Sequence, residues 1–369
     1  MWLQVQIDIF MCILLCITLI HAYYTIGSKK PSYKLFIYIN LSVLIILILE
    51  IASVVINRAG DIHLINIHKL VNVMGFSISS VIPFLFWVFT KKWINNQNKI
   101  GKEVYIFLIP VIISGILSVL SCKYNLIFTV TQENVYFRGP LFFIIPLVGY
   151  IPALGCIVLM FKNYKKLSTE ELWIFPVYLI IPMILSIIQI NNSTYLTIWS
   201  SSGICVIVLY IFILNERNKV DLLTGLNNRN ALQGYITRAT RRRNSKLTII
   251  NIDIDGFKSI NDQYGHDEGD AALRQYAKIL RNVFYPHSKI IRMGGDEFLV
   301  IMNGDNEEYV KNILNKLMDE LEDYNNTSGK PYKFRCSYGT MGYDPKRQNI
   351  EDVMRSCDDL MYRHKKRNG

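Results

Sequence analysis

The 369-residue sequence predicts a chain of two parts, an all-α bundle of seven transmembrane helices followed by an α/β sandwich with an antiparallel hairpin. Three observations predict this fold: an uneven distribution of charge, apolar stretches throughout the first part, and alternating strand and helix patterns in the second. Residues 1–214 hold 14 Lys and Arg and 7 Asp and Glu, whereas residues 215–369 hold 26 and 22. The first part is therefore almost uncharged, and the second has the composition of a water-soluble domain.

The first part contains seven apolar stretches of about 20 residues, the length that a bilayer-spanning helix needs. The first stretch lacks a basic segment before it and a small-residue cleavage site after it, so we interpret it as a retained helix and not a signal peptide. A buried helix of a soluble protein is the alternative for any single stretch, but a succession of such stretches favours a membrane bundle. The predicted spans are 5–26, 35–56, 70–90, 103–122, 139–161, 171–190 and 194–214.

The loops between these spans differ in positive charge. Loops after the first, third and fifth spans carry ten Lys residues, whereas the alternate loops carry four Lys and Arg. Since cytoplasmic loops are enriched in Lys and Arg, we expect the N-terminus outside and the chain after the seventh span in the cytoplasm. The ten are Lys29, Lys30, Lys34, Lys91, Lys92, Lys99, Lys102, Lys162, Lys165 and Lys166, and the four are Arg58, Lys69, Lys123 and Arg138.

One acid, Glu50, lies inside the second apolar stretch. An ionisable group at membrane depth is costly and is often functional. The alternative, which the sequence favours, is that Glu50 lies near the outer end of its helix, where it is wetted or paired with Arg58. A seven-helix bundle that precedes one cytoplasmic domain has the layout of a sensor, for a ligand or partner that the sequence does not identify.

The second part alternates strand and helix patterns, which predicts the α/β sandwich. Apolar residues at i, i+3 and i+4 spacing mark its two longest helices. The residues between the two parts, 215–220, form a linker too short for a heptad run or a further domain, so we expect units at 1–214 and 221–369. The predicted strands are 247–254, 289–293, 298–302 and 333–343, and the predicted helices are 267–284, 307–324 and 350–364.

Acidic residues are concentrated at two turns of the second part. In LTIINIDIDGFKSINDQYGHDEGD, a strand ends with Asp253 and Asp255, whose spacing of two places both on one face of the sheet. Gly256 then allows the backbone to turn into a short helix, whose free N–H groups suit a phosphate. In IIRMGGDEFLVIM, the pair Gly294-Gly295 predicts a hairpin turn that allows positive φ at both positions, and Asp296 follows directly.

A hairpin tip beside a strand end is a place where Asp253 and Asp296 can converge. Two carboxylates and a carbonyl, completed by phosphate oxygens, are a way in which proteins hold Mg²⁺. The sequence therefore predicts half of a metal–nucleotide site. A polar surface hairpin is the alternative for Gly-Gly-Asp-Glu taken alone.

Several motifs of the second part resemble, in the same order, those of GGDEF-domain diguanylate cyclases, over about residues 219–369. The resemblance implies a nucleotidyl-cyclase-like domain with a central, mainly antiparallel sheet. It also implies that two GTP are condensed into cyclic di-GMP and two pyrophosphate across a homodimer, with Mg²⁺ or Mn²⁺ as cofactor. The matching segments are DLLTGLNNR (221–229), DIDGFKSINDQYGHDEGD (253–270), RMGGDEF (292–298), SYG (337–339) and CDDLMYRHK (357–365).

The resemblance implies a role for each matching residue. Asp253, Asp296 and the main-chain carbonyl of Ile254 are expected to bind the metal, and Asp296 or Glu297 to help deprotonate the attacking 3′-hydroxyl. The start of the domain is expected to be organised by Asp221 and Arg229. The expected substrate contacts are guanine at Asn261 and Asp270, the nucleotide pocket at His266, phosphates at the main chain of Phe257 and Lys258, and the β- and γ-phosphates at Lys365.

Asp270 is the residue expected to select guanine. A carboxylate accepts from guanine N1–H and the 2-amino group, whereas adenine offers an acceptor at N1 and no 2-amino group. Sites built around such hydrogen bonds reject the wrong partner by up to roughly 10⁴–10⁵-fold. Some relatives that make mixed adenine–guanine products carry Ser at this position, so Asp270 favours GTP alone.

The chain departs from the family pattern in two places. Members commonly carry Arg four residues after the lysine that Lys365 matches, but Gly369 stands there, so phosphate binding is expected to be weaker unless Lys366 or Arg367 substitutes. The R-x-x-D motif of the inhibitory site begins nine residues before the first signature glycine, where this chain reads Tyr285-Pro286-His287-Ser288. We therefore expect no inhibitory site of that kind.

A diguanylate cyclase in the bacterial cell (inner) membrane is the favoured function. The alternatives are a catalytically inactive GTP-binding membrane receptor, which the intact acids in 294–298 disfavour, and a transporter or channel with a regulatory domain. No nucleic-acid partner is expected, because no aromatic residues alternate with Arg241-Arg242-Arg243 as base stacking requires. No C-x-x-C occurs among the seven Cys residues, which disfavours a disulfide framework or a zinc site.

Overall fold

The structure, a computed structural model, divides into two compact units, Met1–Leu214 and Asn215–Gly369. It describes residues 2–26, 31–58, 60–95, 101–164, 167–191, 197–241, 246–286 and 288–368. The sequence features that lie outside the described residues are Lys29, Lys30, Lys99, Lys165, Lys166, Arg242, Arg243, His287, Gly369 and the first residues of the seventh predicted span, 194–196.

The first unit, here called the membrane unit, consists mainly of apolar helices. Among the described residues, seven helical regions are long and apolar enough to cross a membrane, which confirms the predicted number. Their outward faces expose large apolar side chains such as Phe10, Ile109 and Ile116, which suits contact with lipid. The helices are α1 (Trp2–Ile26), α2 (Pro31–Ile56), α3 (Ile65–Ser79), α4 (Val81–Asn95), α5 (Val104–Tyr124), α6 (Ile144–Lys162), α7 (Thr169–Asn191) and α8 (Ile198–Arg217).

The third spanning region, Ile62–Asn95, is not one continuous helix, because α3 and α4 meet at Ser80. Pro83 explains the break. Proline has no N–H to donate to the carbonyl of Ser79, four residues earlier, and its ring clashes with that carbonyl. The predicted span 70–90 therefore contains the end of one helix and the start of another.

A short hairpin follows α5, formed by β1 (Phe128–Val130) and β2 (Tyr136–Arg138). Its side chains form a small buried cluster of their own with the start of α6. The buried Asn134 at its turn accepts from His68 Nδ1–H through Oδ1 at 2.9 Å, and its Nδ2 donates to Ile56 O at 2.8 Å. Strands of three residues leave no detectable alternation, so this hairpin could not be predicted from the hydrophobic pattern.

The second unit is a five-stranded sheet covered by helices on both faces, which confirms the predicted sandwich. The strand order is β3-β5-β6-β4-β7, and every neighbouring pair is antiparallel except β3-β5. The strands are β3 (Asn227–Asn228), β4 (Leu247–Ile254), β5 (Ser288–Gly294), β6 (Glu297–Asn303) and β7 (Cys336–Tyr343). The helices are α9 (Arg229–Arg241), α10 (Phe257–Tyr264), α11 (His266–Phe284), α12 (Glu307–Thr327) and α13 (Ile350–Asn368).

The interior strand β4 sends alternate side chains into two cores. Ile250, Ile252 and Ile254 pack with α11 and α12 on one face. Leu247 and Ile249 pack with α9 and α13 on the other face. The next residues on that face, Asn251 and Asp253, are polar. The face of the sheet that α13 covers therefore changes from apolar to polar along β4.

Candidate active site

The turn that carries the acids lies between β5 and β6. Gly294 still pairs with Glu297, so the central residues of the turn are Gly295 and Asp296. Gly295 has φ of +50°, whereas Gly294 belongs to β5 and is not among the positive-φ residues. Only the first central position therefore requires glycine, as in a type II′ turn. Both glycines allow positive φ, and the turn uses it at Gly295 and not at Gly294.

Arg292 holds this turn in place. Its guanidinium donates to Gly295 O at 3.0 and 2.8 Å and to the two carboxylate oxygens of Asp221 at 3.1 and 3.2 Å. Asp221 also accepts from the N–H of Thr224 at 2.8 Å and from its hydroxyl at 2.6 Å. Burial acts to raise the pKa of Asp221, but the hydrogen bonds from Thr224 and Arg292 outweigh it and lower that pKa. The sequence pattern gave no role to Arg292, although this residue stands in the RMGGDEF segment.

A cavity of about 350 Å³ lies beside the turn, lined by Asp221, Arg229, Arg292 and neighbouring residues. Asp221 and Arg229 thus lie near the site at the beginning of the domain. The hydrogen bonds of Asp221 support a structural role for it, as expected from the resemblance.

Two acids face each other across the central strands. Asp253 on β4 lies directly opposite Glu297 on β6, so both side chains project from the same face of the sheet. Like charges in such a pair are destabilising. Burial raises the pKa of the Glu297 carboxyl, and the negative charge of Asp253 raises it further. The sheet therefore concentrates negative charge where a cation is needed to balance it.

Lys365 supplies a positive charge to this cluster. Its ammonium donates to Asp253, whose side chain is only 7% exposed. Burial acts to lower the pKa of Lys365, but the bond to Asp253 and the nearby Asp296 and Asp255 outweigh it and raise that pKa. Burial also raises the pKa of Asp253, and Asp296 adds to this effect, although Lys365 opposes it. The lysine expected to contact phosphates thus lies at Asp253, the acid expected to bind the metal.

The backbone brings Asp296 to the end of β4, because Ile254 N–H donates to Asp296 O at 3.3 Å. The side chain of Asp296 is half-buried. Asp253, Asp296 and the carbonyl of Ile254 therefore offer hard oxygen donors from adjacent positions. This donor set fits Mg²⁺ or Mn²⁺.

The protein ligands alone would leave the shell of such an ion incomplete. Among the described residues, no group of three or more His, Cys, Asp or Glu side chains is arranged to hold a metal. Mg²⁺ commonly keeps water and takes substrate phosphates in addition to one or two carboxylates. The donor set is thus of the kind that a nucleotide completes.

Asp255, two residues after Asp253, has a different partner. It accepts from Ser337 Oγ at 2.7 Å, and its N–H donates to Arg335 O at 3.0 Å. These bonds fix the exit of β4 against β7. The spacing of two predicted a shared face for Asp253 and Asp255. The contacts of Asp255 with Ser337 and Arg335 indicate that it stabilises the turn after β4.

The chain after β4 turns at Gly256, whose φ is +70°, and enters α10. The first hydrogen bond of this helix runs from Ser259 N–H to Gly256 O at 2.9 Å. The N–H groups of Phe257 and Lys258 therefore precede the helical hydrogen-bond ladder, which is the condition for binding a phosphate. The side chain of Phe257 is buried in the core, whereas that of Lys258 is exposed.

The residues expected to read guanine lie on α10 and α11. Asn261 is half-buried, and its carboxamide lies against the backbone of Gly269, where an ideal Cβ would be 1.9 Å from Asn261 Oδ1. Asp270 follows Gly269 and is about half exposed, with Arg274 Nη2 at 3.9 Å as its ion-pair partner. The structure thus brings Asn261 next to Asp270. His266 is the first residue of α11 and is exposed.

The described residues that stand in place of R-x-x-D offer no positive charge to an anion. Tyr285 is 70% exposed and carries no charge. Ser288 is buried, and its hydroxyl donates to Phe284 O. His287, between them, lies outside the described residues.

Residues 218–369 match the family model described as diguanylate cyclase, GGDEF domain. Among curated proteins, an uncharacterized membrane protein of Staphylococcus aureus strain USA300 is 24% identical over 345 residues, which covers 78% of this chain and 93% of the relative. That match extends beyond the GGDEF domain into the membrane unit, since the domain alone is less than half of the chain.

Solved GGDEF structures also match. The coiled coil and GGDEF domain of DgcB from Caulobacter crescentus, in complex with c-di-GMP, is 25% identical, with 46% of this chain and 92% of that chain covered and a TM-score of 0.41. A sensory box/GGDEF family protein from Caulobacter crescentus CB15 is 33% identical, with 41% and 99% covered and a TM-score of 0.36.

Proposed function

Residues 218–369 belong to the GGDEF family of domains, and on this premise we propose that the protein is a membrane-bound diguanylate cyclase. The proposed reaction condenses two GTP into cyclic di-GMP and two pyrophosphate. The observation that carries the proposal is the acid cluster, in which Asp253 faces Glu297 and the turn adds Asp296. A purely structural sheet has no need for like charges in such a pair, which cost stability.

Asp253, Asp296 and the carbonyl of Ile254 are the proposed ligands of Mg²⁺ or Mn²⁺. When bound, the ion neutralises phosphate charge and lowers the pKa of the 3′-hydroxyl. Asp253 is buried and already has a cationic partner in Lys365. In the proposed substrate complex, Lys365 moves from Asp253 to the β- and γ-phosphates. There its positive charge stabilises the negative charge of the leaving pyrophosphate.

Glu297 is the proposed general base. It takes the proton of the 3′-hydroxyl of one GTP while that oxygen bonds to the α-phosphorus of the other. The bond from the α-phosphorus to the bridging oxygen of the β-phosphate breaks, and pyrophosphate leaves. The same step at the facing site closes the ring and releases the second pyrophosphate. The raised pKa of Glu297 supports this role, because a base is most effective when its pKa approaches the working pH.

The remaining residues bind and orient the substrate. The N–H groups of Phe257 and Lys258 are proposed to hold phosphate oxygens at the start of α10. Asn261 and Asp270 are proposed to hydrogen-bond to guanine. The exposed His266 is proposed to close the edge of the nucleotide pocket.

Each domain is proposed to hold one GTP, so catalysis requires a homodimer in which two sites face each other. The membrane unit supports this arrangement, because spans that confine two chains to a plane raise the effective concentration of their domains. The proposed orientation in the bacterial cell membrane has the N-terminus outside and the GGDEF domain in the cytoplasm, where GTP is available. A seven-span chain has its two ends on opposite sides.

The experiment is nucleotide analysis of the purified full-length protein incubated with GTP and Mg²⁺. Formation of cyclic di-GMP and pyrophosphate in a 1:2 ratio is expected from the reaction above. A folded protein that binds GTP without turnover, at concentrations where it is dimeric, would contradict the proposal and support the inactive receptor.

A further inference from the structure

The membrane unit contains a cavity of about 480 Å³ that has no part in the cyclase site. Its size lies in the range of small-molecule binding sites, which are mostly apolar with a few polar groups. Six of the residues in its wall are aromatic. Those that line it are Phe76, Tyr136, Phe142, Tyr150, Tyr178 and Trp199.

Glu50 lines this cavity and lacks a counter-ion. One of its carboxylate oxygens is buried without a hydrogen-bond partner, and among the described residues it forms no ion pair. Gln189 and a second buried acid, Asp8, lie close enough to influence its carboxyl group electrostatically. Pairing with Arg58, which the sequence favoured as an alternative, is therefore not found. Burial of an ionised carboxylate without a cation is costly, and a cationic ligand would offset that cost by pairing with it.

Asp8 increases the negative character of this region. It is fully buried on α1, accepts from Ser200 Oγ through one oxygen, and leaves its other oxygen without a partner. The two acids lie on different helices and belong to no common sequence motif. Their proximity therefore results from the packing of the bundle.

The one cation that lines the cavity, within the described part of the chain, is already engaged. Arg138 donates to Ile190 O at 2.8 Å and to Gln189 O at 2.7 Å, which satisfies carbonyls at the end of α7. Its guanidinium also lies 4.5 Å from the centroid of the Phe142 ring. The guanidinium of Arg138 is thus hydrogen-bonded within the protein, whereas one carboxyl oxygen of Glu50 has no partner.

We propose that this cavity binds a small amine with an apolar, aromatic body, with the Glu50 carboxylate against the ammonium group and the aromatic wall around the body. A cation near aromatic faces gains a further electrostatic contribution. The proposal does not depend on the cyclase activity, because it concerns binding alone.

The test compares four probes of similar shape: 2-phenylethylamine, 2-phenylethanol, 3-phenylpropionate and phenylalanine. Binding to the purified full-length protein in detergent is followed by calorimetry and by tryptophan fluorescence. All five Trp residues precede residue 200, so the fluorescence reports on the membrane unit, and Trp199 lines the cavity. We expect saturable binding of the amine at least roughly tenfold tighter than that of the alcohol, and no binding of the anion.

Glu50→Gln is expected to reduce the affinity for the amine to that for the alcohol. Glu133→Gln is the matched control, since it makes the same change at an exposed acid of the membrane unit and leaves amine binding unchanged. Gly75→Leu provides a second variant that does not alter charge. Gly75 lines the cavity and an ideal Cβ there meets no atom within 4 Å, so added bulk is expected to weaken binding of amine and alcohol alike.

Several results would overturn the proposal. Equal affinities for amine and alcohol would show an apolar pocket without charge selection, and unchanged amine binding in Glu50→Gln would place the cation elsewhere. Tighter binding of phenylalanine than of the amine would show a zwitterion site that uses Arg138. Absence of saturable amine binding to the folded wild-type protein would also refute it, even if Glu50→Gln does not fold.

Discussion

The two units differ in the partners that their buried acids have. In the GGDEF domain, Asp253 has Lys365 as a partner and stands on a strand whose alternation can be counted along the sequence. In the membrane unit, Asp8 and Glu50 each retain a buried oxygen without a partner, and both depend on helices distant in sequence for their surroundings. A site at a strand end is thus encoded locally, whereas a site inside a helix bundle depends on how the helices pack.

The largest expected difference concerns the side of the membrane on which each segment lies. A reporter fused after Leu214 is expected to lie in the cytoplasm, and one inserted at Gln132 is expected to lie outside, because the loop charges orient the spans. Gln132 is exposed in the hairpin turn between β1 and β2, so insertion there disturbs little packing. Paired alkaline phosphatase and green fluorescent protein fusions give the measurement. The reverse pattern would refute the orientation.

Within the GGDEF domain, Asp296→Asn is expected to have the largest effect on rate. It removes the charge of a proposed metal ligand while keeping the shape of the turn, so turnover should fall on the order of 10²–10³-fold or more. Initial rates of cyclic di-GMP formation give the measurement. Asp305→Asn is the control, because Asp305 is a surface acid paired with Lys246 at 2.6 Å. A folded Asp296→Asn protein with near wild-type activity would contradict the metal assignment.

Asp270→Ser is expected to change specificity more than fold. The shorter side chain loses the paired acceptors for guanine, so the preference for GTP over ATP should fall roughly 10–10²-fold. Competition with equal GTP and ATP measures it. Asp267→Ser, an exposed position on the same helix, should leave the preference unchanged. If Asp270→Ser keeps the wild-type product profile, guanine is read by other residues.

Gly339→Ala is expected to separate α13 from the sheet. An ideal Cβ at Gly339 lies 2.1 Å from Cys357 O and 2.6 Å from Met361 N, and both are backbone atoms of α13. Overpacking of this kind costs about 1–3 kcal/mol, and it also displaces Lys365. Hydrogen exchange in β7 and α13 should accelerate. Gly342→Ala on the same strand is the control, since its nearest atom is 3.9 Å away, and equal exchange in both variants would contradict the close approach.

Product inhibition is expected to be the smallest effect. The segment at 285–288 has neither the Arg nor the Asp of the inhibitory motif, and the Ser288 hydroxyl is committed to Phe284 O. Micromolar cyclic di-GMP should therefore lower the initial rate only slightly. Strong non-competitive inhibition, with calorimetric binding outside the active site, would reveal a second site made of other residues. Weak inhibition would leave control to the membrane unit.

Much of the fold could be predicted because hydrophobic periodicity is a local property. The strand predicted at 247–254 has those bounds in the structure, and the last helix begins at the predicted Ile350 but continues to Asn368. The seven spans followed from length and composition alone. Helix ends were less predictable, because fraying and capping depend on contacts beyond the local pattern.

The sequence by itself determined the two-part architecture, the acids at the strand end and turn, and the order of the motifs, since each depends on residues close together in the chain. The tertiary structure alone decided the bracing of the turn by Arg292, the pairing of Lys365 with Asp253 and the position of Glu50 in a cavity. Each of these joins side chains from separate elements, whose meeting depends on packing and on the balance between burial and charge. Spacing along the chain carries no record of that balance.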